Sequence, residues 1–358
     1  MKRLFIIFCL LILTACGAKN TDKIAKNEID SNVEKYEIQF FEAFDTVTTF
    51  QIYDTDEDRA NENLEKMRNE YFKLHRYFDR YNNYDGLNNL KTINDKAGIE
   101  PVKVPDELFE VIALTLEREK TISNKVNIAM GPVIDLWAKY REANLEGAEE
   151  AIKQFGHAVP EKDELEALRP LVNTSKIQLD NQGKTVYIEK GMILDLGAVA
   201  KGYAAEKVGQ YAKELGVKSG LISAGGNVKL IGKHPLKDSF SIAIQNPYDK
   251  EDNSSFLAVL NLNDTSVVTS GDYQRYFDYN SKRYHHIIDP ETFYPGGDYN
   301  SLSIVTEDSG LSDYLSTTLF LSSEDEIRRI SKEQGVEVIW NTLSGELKET
   351  GNLLEGEK

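Results

Sequence analysis

Cysteine is nearly absent from this sequence. The chain has two cysteines among its 358 residues, Cys9 and Cys16, and both lie in the first 16 positions. If an N-terminal segment is removed, the rest of the chain holds no pair of thiols for a disulfide. It also holds no cysteine cluster for zinc or for an iron–sulfur centre. We therefore expect the folded region to be stable without disulfide bonds.

An apolar run long enough to cross a membrane is also lacking at the start of the chain. The apolar stretch from Leu4 to Leu13 is shorter than the ~20 residues that a membrane-spanning helix needs. It follows a basic start and precedes small residues, which is the pattern of a secretory signal peptide. The last four residues of this segment, Leu13 to Cys16, read LTAC. They resemble the bacterial lipobox, in which the cysteine becomes the lipidated first residue.

The N-terminal features predict an anchored protein. We expect a signal peptide at residues 1–15, lipidation at Cys16 and attachment to the outer face of the cytoplasmic membrane, with a plain signal peptide as the alternative. Residues 17–35 are polar and rich in lysine and asparagine, so residues 16–36 are predicted to form a flexible tether. Residues 37–358 contain no Pro/Gly/Ser-rich linker and no internal repeat, and are predicted to form one domain.

Positive charge is scarce relative to negative charge. The chain has 42 lysines and arginines against 59 aspartates and glutamates, a net charge of −17 that becomes −19 without Lys2 and Arg3 of the signal peptide. This surplus argues against a nucleic-acid partner and against peripheral binding to anionic lipid. An anionic ligand would have to be bound locally, by a lysine, by backbone amides or through a metal ion.

Two common nucleotide-binding motifs are missing. No GxGxxG sequence follows a predicted strand, which argues against a Rossmann domain. Gly197 and Gly202 have the spacing of the outer glycines of a P-loop, but Tyr203 occupies the position of its lysine. This substitution argues against a P-loop NTPase.

Apolar periodicity predicts helices packed on antiparallel sheets. Apolar residues recur every three or four positions over residues 58–79, and a further helix is predicted over residues 201–215. Residues 44–53 alternate as a strand does. Eight short runs at strand spacing lie between residues 220 and 306 without intervening helices. Consecutive strands form antiparallel meanders, so the predicted class is α+β.

The segment LDLGAVAKGYAA, residues 194–205, combines an acidic residue, two glycines and a lysine in a turn before a helix. Asp195, Gly197, Lys201 and Gly202 would bring an anion, free backbone amides and a cation close together. Such an arrangement suits a phosphorylated ligand. An ordinary strand-to-helix turn is the alternative.

Asp313 and Thr317 lie four residues apart in a predicted helix, so their side-chain oxygens face the same side. A carboxylate and a hydroxyl so placed can bind a hard cation, with backbone carbonyls and ligand phosphates completing its shell, as Mg²⁺ prefers. An aspartate near a helix start can instead cap the helix or interact with its dipole.

A further polar cluster is HHIIDP at residues 285–290. Adjacent residues of a strand point to opposite faces, so at most one of His285 and His286 can belong to a given pocket. A buried, hydrogen-bonded histidine and a simple Asp-Pro turn are the alternatives to a functional role.

Seven segments of the chain, taken in order, resemble the ApbE family, the FAD:protein FMN transferases. They are FDTVTTF (44–50), NIAMGPVIDLW (127–137), DLGAVAKGYAAE (195–206), SAGGNV (223–228), VVTSGDYQRYF (267–277), HHIIDP (285–290) and SDYLSTTLF (312–320). The resemblance implies a T-fold-like α+β architecture that binds one FAD together with Mg²⁺. It also implies that FMN is moved from FAD to a threonine or serine of a target protein, with release of AMP. The expected acceptors are extracytoplasmic electron-transfer proteins.

The resemblance also assigns roles to residues. The Ala198 backbone carbonyl, Asp313 and Thr317 are expected to bind the metal, and Asp195 and Lys201 to contact FAD. The residues expected to line the flavin or adenosine pocket are Phe44, Tyr81, Lys125, Val126, Asn127 and Ile287. His286 or Asp289 is expected to accept the proton of the attacking hydroxyl. The sequence leaves the choice between these two open.

The sequence departs from the family pattern at two positions. Asn127 stands where the family often has aspartate, which keeps the hydrogen-bonding shape and removes a charge. Phe293 stands before Tyr294-Pro295, where the usual pattern has a glycine. The second departure concerns the conformation of the loop after Asp289 and target specificity, and it does not touch the metal positions.

Two other functions share the same pocket. Water could replace the acceptor hydroxyl, so that FAD is hydrolysed to FMN and AMP, or the protein could bind flavin without turning it over. The set of Asp195, Lys201, Asp313 and Thr317 argues against storage, because storage needs no complete metal site.

Overall fold

Nine α-helices occur in residues 32–246 and 256–354, which are the residues described by this computed structural model. The helices are α1 (Glu57–Phe78), α2 (Leu90–Asp95), α3 (Asp106–Thr121), α4 (Gly131–Leu145), α5 (Ala148–Phe155), α6 (Lys162–Glu166), α7 (Ala200–Glu214), α8 (Ser309–Phe320) and α9 (Glu324–Gln334). Two short 3₁₀ turns, Arg169–Leu171 and Thr174–Lys176, follow α6.

Fifteen strands lie within the same described ranges. They are β1 (Glu34–Phe40), β2 (Thr48–Asp54), β3 (Val102–Lys103), β4 (Gln178–Asp180), β5 (Thr185–Tyr187), β6 (Ser219–Ala224), β7 (Asn227–Gly232), β8 (Phe240–Gln245), β9 (Phe256–Leu262), β10 (Ser266–Gly271), β11 (Tyr276–Tyr279), β12 (Lys282–His285), β13 (Tyr299–Thr306), β14 (Glu337–Thr342) and β15 (Leu347–Glu349). Eight of them form one sheet in the order β1-β2-β6-β7-β10-β13-β14-β15, and every pairing in it is antiparallel.

Helices cover one face of this eight-stranded sheet and a hairpin covers the other. Helices α1, α7 and α8 pack against β2, β7, β10 and β13 and share the main hydrophobic core with them. The β8–β9 hairpin packs on the opposite face, where Ile244 and Leu260 join Val267, Val305 and Ile339. Alternation along the strands explains this division, because successive residues such as Ile304 and Val305 point to opposite faces.

The amphipathic pattern of α1 explains its position. Leu64, Met67, Tyr71 and Leu74 recur at three- and four-residue steps and are fully buried. Burial of each such side chain contributes about 2 kcal/mol of stability. Asp56 caps the start of the helix, since its side chain accepts the N–H of Arg59 at 2.9 Å.

A second hydrophobic cluster lies beside the main core. It joins α4 to the β11–β12 hairpin and to neighbouring loops, and its buried members are Met130, Val133, Trp137, Leu165, Val172, Phe277 and Phe293. Trp137 stacks on Tyr284 of the hairpin, with 5.7 Å between ring centroids. We call this set the second cluster.

The architecture confirms the predicted α+β class with antiparallel sheets. The helices predicted over residues 58–79 and 201–215 occur as α1 and α7, each within one residue of the predicted bounds. The eight strand runs between residues 220 and 306 occur as β6 to β13, in the predicted order.

The strand predicted over residues 44–53 was wrong in its first half. Phe44 and Asp45 have φ of 55° and 51°, outside the extended region of the backbone. Strand β2 begins only at Thr48, since the chain must reverse before it for β1 and β2 to pair antiparallel. Phe44 therefore lies in a hairpin loop.

The N-terminal predictions fall largely outside the described residues. The signal peptide, Cys16 and the tether up to residue 31 lie there. Strand β1 begins at Glu34, paired with Asp54, so it includes three residues that the sequence assigned to the tether. In the ranges that the structure describes, no helix is both long enough and apolar enough to traverse a lipid bilayer.

Candidate active site

Helices α7 and α8 cross at Gly202. A Cβ at this position would overlap the Ser309 carbonyl oxygen and the Cβ of Asp313, so glycine permits an approach that any side chain would prevent. Gly202 lies in the first turn of α7, where backbone N–H groups have no partner within the helix. Its N–H donates a hydrogen bond to Oδ2 of Asp313 at 2.8 Å.

Each of these two helices caps the other. Asp313 of α8 caps α7, and Glu206 of α7 accepts the N–H of Ser309 at the start of α8 at 2.9 Å. Lys229 of β7, whose side chain is 5% exposed, pairs with Glu206 at 2.9 Å. Its Nζ also donates to the Glu307 carbonyl at 2.6 Å. This network holds α8, and with it Asp313, against the start of α7.

The three residues predicted to bind a metal lie on α8 and in the turn that leads into α7. Asp313 is buried, and Thr317, one turn later on α8, is the one residue from Ser312 to Phe320 that is not. The Ala198 carbonyl precedes α7, and no described residue donates a hydrogen bond to it. A carboxylate, a hydroxyl and a free carbonyl are oxygen ligands of the kind that a hard cation takes.

The other common metal ligands do not assemble. In residues 32–246 and 256–354, no group of three or more His, Cys, Asp or Glu side chains is arranged to hold a metal ion. A cation at the α7–α8 crossing would therefore depend on few protein oxygens and on the oxygens of a bound ligand.

Asp195 fixes the turn that leads into α7. Its Oδ1 accepts the N–H of Gly197 at 2.7 Å, and its Oδ2 accepts a hydrogen bond from Nη1 of Arg80 at 2.6 Å. Arg80 also pairs with Asp135 of α4. Both oxygens of Asp195 are thus bound to the protein, while Lys201 has, among the residues that the structure describes, only the Gly197 carbonyl, at 3.5 Å, as a hydrogen-bond partner.

Two aromatic residues predicted for the ligand pocket lie at neighbouring loops. Tyr81 is 64% exposed, and the guanidinium of Arg80 lies 5.1 Å from its ring centroid. The ring of Phe44 packs edge-on against Tyr71, and its backbone N–H donates to Nδ1 of His75 at 3.3 Å. Tyr81 is therefore free to stack on a planar ligand, whereas Phe44 is held partly inside the core.

The segment at residues 125–127 is engaged with the protein. Lys125 forms an ion pair of 2.9 Å with Asp289, and Val126 is buried. The Asn127 amide donates to the Val172 carbonyl at 2.9 Å and accepts the N–H of Ala129 at 2.8 Å. These contacts hold the segment in place, and Ile287 is likewise buried.

His285 and His286 point in opposite directions, as predicted. His285 is buried at the end of β12, where its Nδ1 accepts the N–H of Ile287 at 3.3 Å, and burial lowers its pKa to about 4. The His286 side chain is exposed to solvent. The surrounding protein lowers the pKa of His286, and nearby positive charges, that of Arg275 foremost, lower it further.

Comparison with known proteins identifies the family of this chain. The family model described as the ApbE family matches residues 44–340. The chain belongs to the ApbE family. An FAD:protein FMN transferase from Klebsiella pneumoniae is 32% identical over 258 residues, covering 71% of this chain and 75% of that protein. Another from Haemophilus influenzae is 26% identical over 297 residues, covering 81% and 82%.

Solved ApbE structures confirm the fold. The crystal structure of the ApbE protein from Thermotoga maritima matches with a TM-score of 0.78 at 25% identity, covering 91% of this chain and 100% of that one. The flavinyl transferase ApbE from Pseudomonas stutzeri, in its apo form, matches with a TM-score of 0.72 at 20% identity, covering 91% and 98%.

The departure from the ApbE pattern at Phe293 has a local explanation. Phe293 has φ of 63°, a left-handed conformation that a glycine adopts without strain. The ring is fully buried in the second cluster, and its carbonyl accepts a hydrogen bond from Nε1 of Trp137 at 2.7 Å. Burial of the ring and this hydrogen bond offset the backbone strain, so the loop keeps a glycine-like conformation with phenylalanine.

Three arginines near the site were not predicted from the sequence. Arg80 holds Asp195, and the charges of Arg141 and Arg275 contribute to the lowered pKa of His286. Two signals were present: Arg275 lies inside the motif VVTSGDYQRYF, and Arg141 follows Trp137 by one helical turn. Arg80 had no such signal, because its partners are 55 and 115 residues away.

Proposed function

We propose that this chain is an Mg²⁺-dependent FAD:protein FMN transferase. The observation that carries the proposal is the hydrogen bond between Gly202 and Asp313, which joins α8 to the turn that presents the Ala198 carbonyl. The names of the curated relatives support the same activity. We further propose threonine- or serine-bearing extracytoplasmic electron-transfer proteins as acceptors.

The donor set fits Mg²⁺. Ala198, Asp313 and Thr317 would hold it through a carbonyl, a carboxylate and a hydroxyl, a sparse set that leaves positions for phosphate oxygens. When bound, the ion would supply charge neutralisation to the diphosphate of FAD. Lys201 has no carboxylate partner in the described residues, so its ammonium is available to the same phosphates.

The reaction that we propose is a substitution at phosphorus. The hydroxyl oxygen of the acceptor attacks the FMN-side phosphorus of FAD, a phosphoester bond forms, and the anhydride bond to AMP breaks. The hydroxyl proton passes to a base, and AMP leaves with the bridging oxygen. Positioning and electrostatic stabilisation supply most of the rate in such reactions.

His286 is the base that we favour over Asp289. Its ring is exposed to solvent, and no described residue forms a hydrogen bond or ion pair with it. Its lowered pKa keeps the imidazole neutral near pH 7, as a proton acceptor requires. Asp289 is committed to Lys125 and to the N–H of Glu291, at 2.9 and 2.7 Å.

Incubation of the protein with FAD, Mg²⁺ and a threonine-bearing acceptor separates the three candidate functions. Transfer yields a covalent flavin on the acceptor and an equal amount of AMP, which mass spectrometry and nucleotide chromatography measure. Omission of the acceptor should then stop AMP release. Free FMN instead of covalent flavin on the acceptor would identify a hydrolase. FAD that is bound but unchanged would identify a storage protein.

We also propose that the protein is anchored by lipid at Cys16, on the extracytoplasmic face of the cell membrane. The lipobox-like sequence before Cys16 supports this. Cys16→Ala is then expected to move the protein from the membrane fraction to the soluble fraction. Without the lipid anchor, the acidic chain has no affinity for anionic lipid. Cys9→Ala, in the same segment, is the control. Membrane retention of both variants would contradict lipidation.

A further inference from the structure

The backbone on either side of His286 determines where its ring lies. The ring itself is exposed and has no hydrogen-bond or ion-pair partner among the described residues. Its two neighbours, His285 and Ile287, are buried. The N–H of Ile287 donates to Nδ1 of His285 at 3.3 Å, and the Ile287 carbonyl accepts the N–H of Gly296 at 3.2 Å. We call residues 286–296 the His286 loop, and the position of the ring follows from what anchors this loop.

One anchor comes from outside the loop. Asp289 forms an ion pair of 2.9 Å with Lys125 through its Oδ2, and the two side chains are only 13% and 19% exposed. The Oδ1 of Asp289 accepts the N–H of Glu291 at 2.7 Å. The Asp289 carbonyl accepts the N–H of Phe293 at 2.8 Å. Asp289 therefore joins Lys125 to the turn that closes the His286 loop, and this largely shielded pair is screened less by solvent than an exposed one.

Lys125 also begins a short segment that reaches the turn before α7. Three residues later, the Ile128 carbonyl accepts the N–H of Asp195 at 2.8 Å. Asp195 opens the turn that presents the Ala198 carbonyl, and its own Oδ1 fixes that turn. Between Lys125 and Ile128, the Asn127 amide is held by two hydrogen bonds of 2.9 and 2.8 Å. One held segment thus connects the His286 loop with the carbonyl proposed to bind the metal.

We propose that the ion pair between Lys125 and Asp289 positions His286 relative to the Ala198 carbonyl. This inference rests on the proposed function, in which His286 is the base. Both members of the pair act through His286, so Asp289 is a positioning residue in this assignment. A displacement of about 1 Å at a reacting group costs about 100-fold in rate, and the pair restrains such a displacement.

Kinetics of single and double variants test the assignment. Lys125→Met and Asp289→Asn are each expected to lower kcat for FMN transfer about 30-fold, because a displaced base slows the chemical step. The KM for FAD should stay within about twofold, since neither residue contacts FAD in this assignment. The double variant should be no slower than the slower single variant, because both changes break the same pair. Lys125→Arg keeps the charge and should recover most of the rate.

An exchange of the two charges separates positioning from proton acceptance. Lys125→Asp alone should be at least as slow as Lys125→Met, since it places two carboxylates together. Addition of Asp289→Lys should recover part of kcat, although position 289 then has no carboxylate. A base at Asp289 predicts no recovery, and a far larger loss in Asp289→Asn than in Lys125→Met. Either result would overturn the proposal. So would a raised KM for FAD with unchanged kcat in Lys125→Met, which would assign Lys125 to the substrate.

Hydrogen exchange of the free protein gives a readout that needs no turnover. The backbone N–H groups of Glu291 and Phe293 are hydrogen-bonded to Asp289, and in Lys125→Met they should exchange about tenfold faster. Unchanged exchange, or faster exchange with unchanged kcat, would contradict the positioning role. The matched control is Lys176→Met, which removes an ion pair of 2.7 Å outside the loop and should change neither quantity. A wild-type protein that transfers no FMN would refute the proposed function, while exchange would still decide whether the pair anchors the loop.

Discussion

Asp313→Asn is expected to lower kcat for FMN transfer about 1000-fold while the protein stays folded. The carboxylate is the one charged ligand among the three proposed for Mg²⁺, and loss of the ion's stabilisation of the diphosphate removes several kcal/mol from the transition state. In the wild-type protein the Asp313 carboxylate accepts the Gly202 N–H at 2.8 Å. Asparagine keeps a side-chain oxygen that can accept the same hydrogen bond. The free energy of unfolding should therefore change by less than about 1 kcal/mol.

Kinetics and metal binding together check this expectation. The variant should need far more Mg²⁺ for half-maximal rate, and a Mn²⁺ titration followed by paramagnetic relaxation should show weakened binding. Asp308→Asn is the matched control on the same helix: Asp308 caps α8, its side chain is 50% exposed, and asparagine caps as well as aspartate. Wild-type turnover in the Asp313 variant would remove this residue from the mechanism.

Lys229→Met is expected to lower the free energy of unfolding by about 3 kcal/mol or more. Its side chain and that of Glu206 are 5% and 18% exposed, and breaking a buried pair leaves one charge without compensation. The remaining carboxylate would still accept the N–H of Ser309. Urea denaturation measures the change. Lys213→Met, on the same helix as Glu206, removes an exposed pair with Asp264 and should change stability by only about 0.5 kcal/mol.

A double-mutant cycle separates the pair from general damage. Glu206→Gln keeps an oxygen for Ser309 and leaves the Lys229 ammonium unpaired, so it should also destabilise. The double variant, with neither charge, should lose clearly less than the sum of the two single losses. Strictly additive losses would mean that the ion pair contributes nothing and that the two residues act through packing alone.

The candidate site could be predicted from the sequence where its residues lie a few positions apart in the chain. The spacing of Asp313 and Thr317 placed both on one side of a helix, and the structure has that helix as α8. The alternative, that Asp313 caps its own helix, was wrong because Asp308 does so. Asp313 caps α7 instead, 111 residues earlier in the chain. No periodicity encodes such a contact, since it depends on how two helices pack.

Side-chain partners set a similar limit for the FAD-contact predictions. Asp195 and Asp289 are acidic residues in turns; Asp195 was expected to contact FAD and Asp289 was one of two candidate bases. The structure shows both in ion pairs, with Arg80 and Lys125 respectively. The partner lies 115 residues away for Asp195 and 164 for Asp289. Both roles therefore stay predictions.

The sequence by itself determined the class of fold, the succession of strands along the chain, the turn before α7 and the helical pairing of Asp313 with Thr317, because each follows from residues within a few positions of one another. Tertiary structure alone decided the order of the strands in the sheet, the mutual capping of α7 and α8, the exposure of His286 beside the buried His285, and the pairing of Arg80 with Asp195. Those features depend on which distant groups come within hydrogen-bonding or charge–charge range, and that is settled only when the core packs.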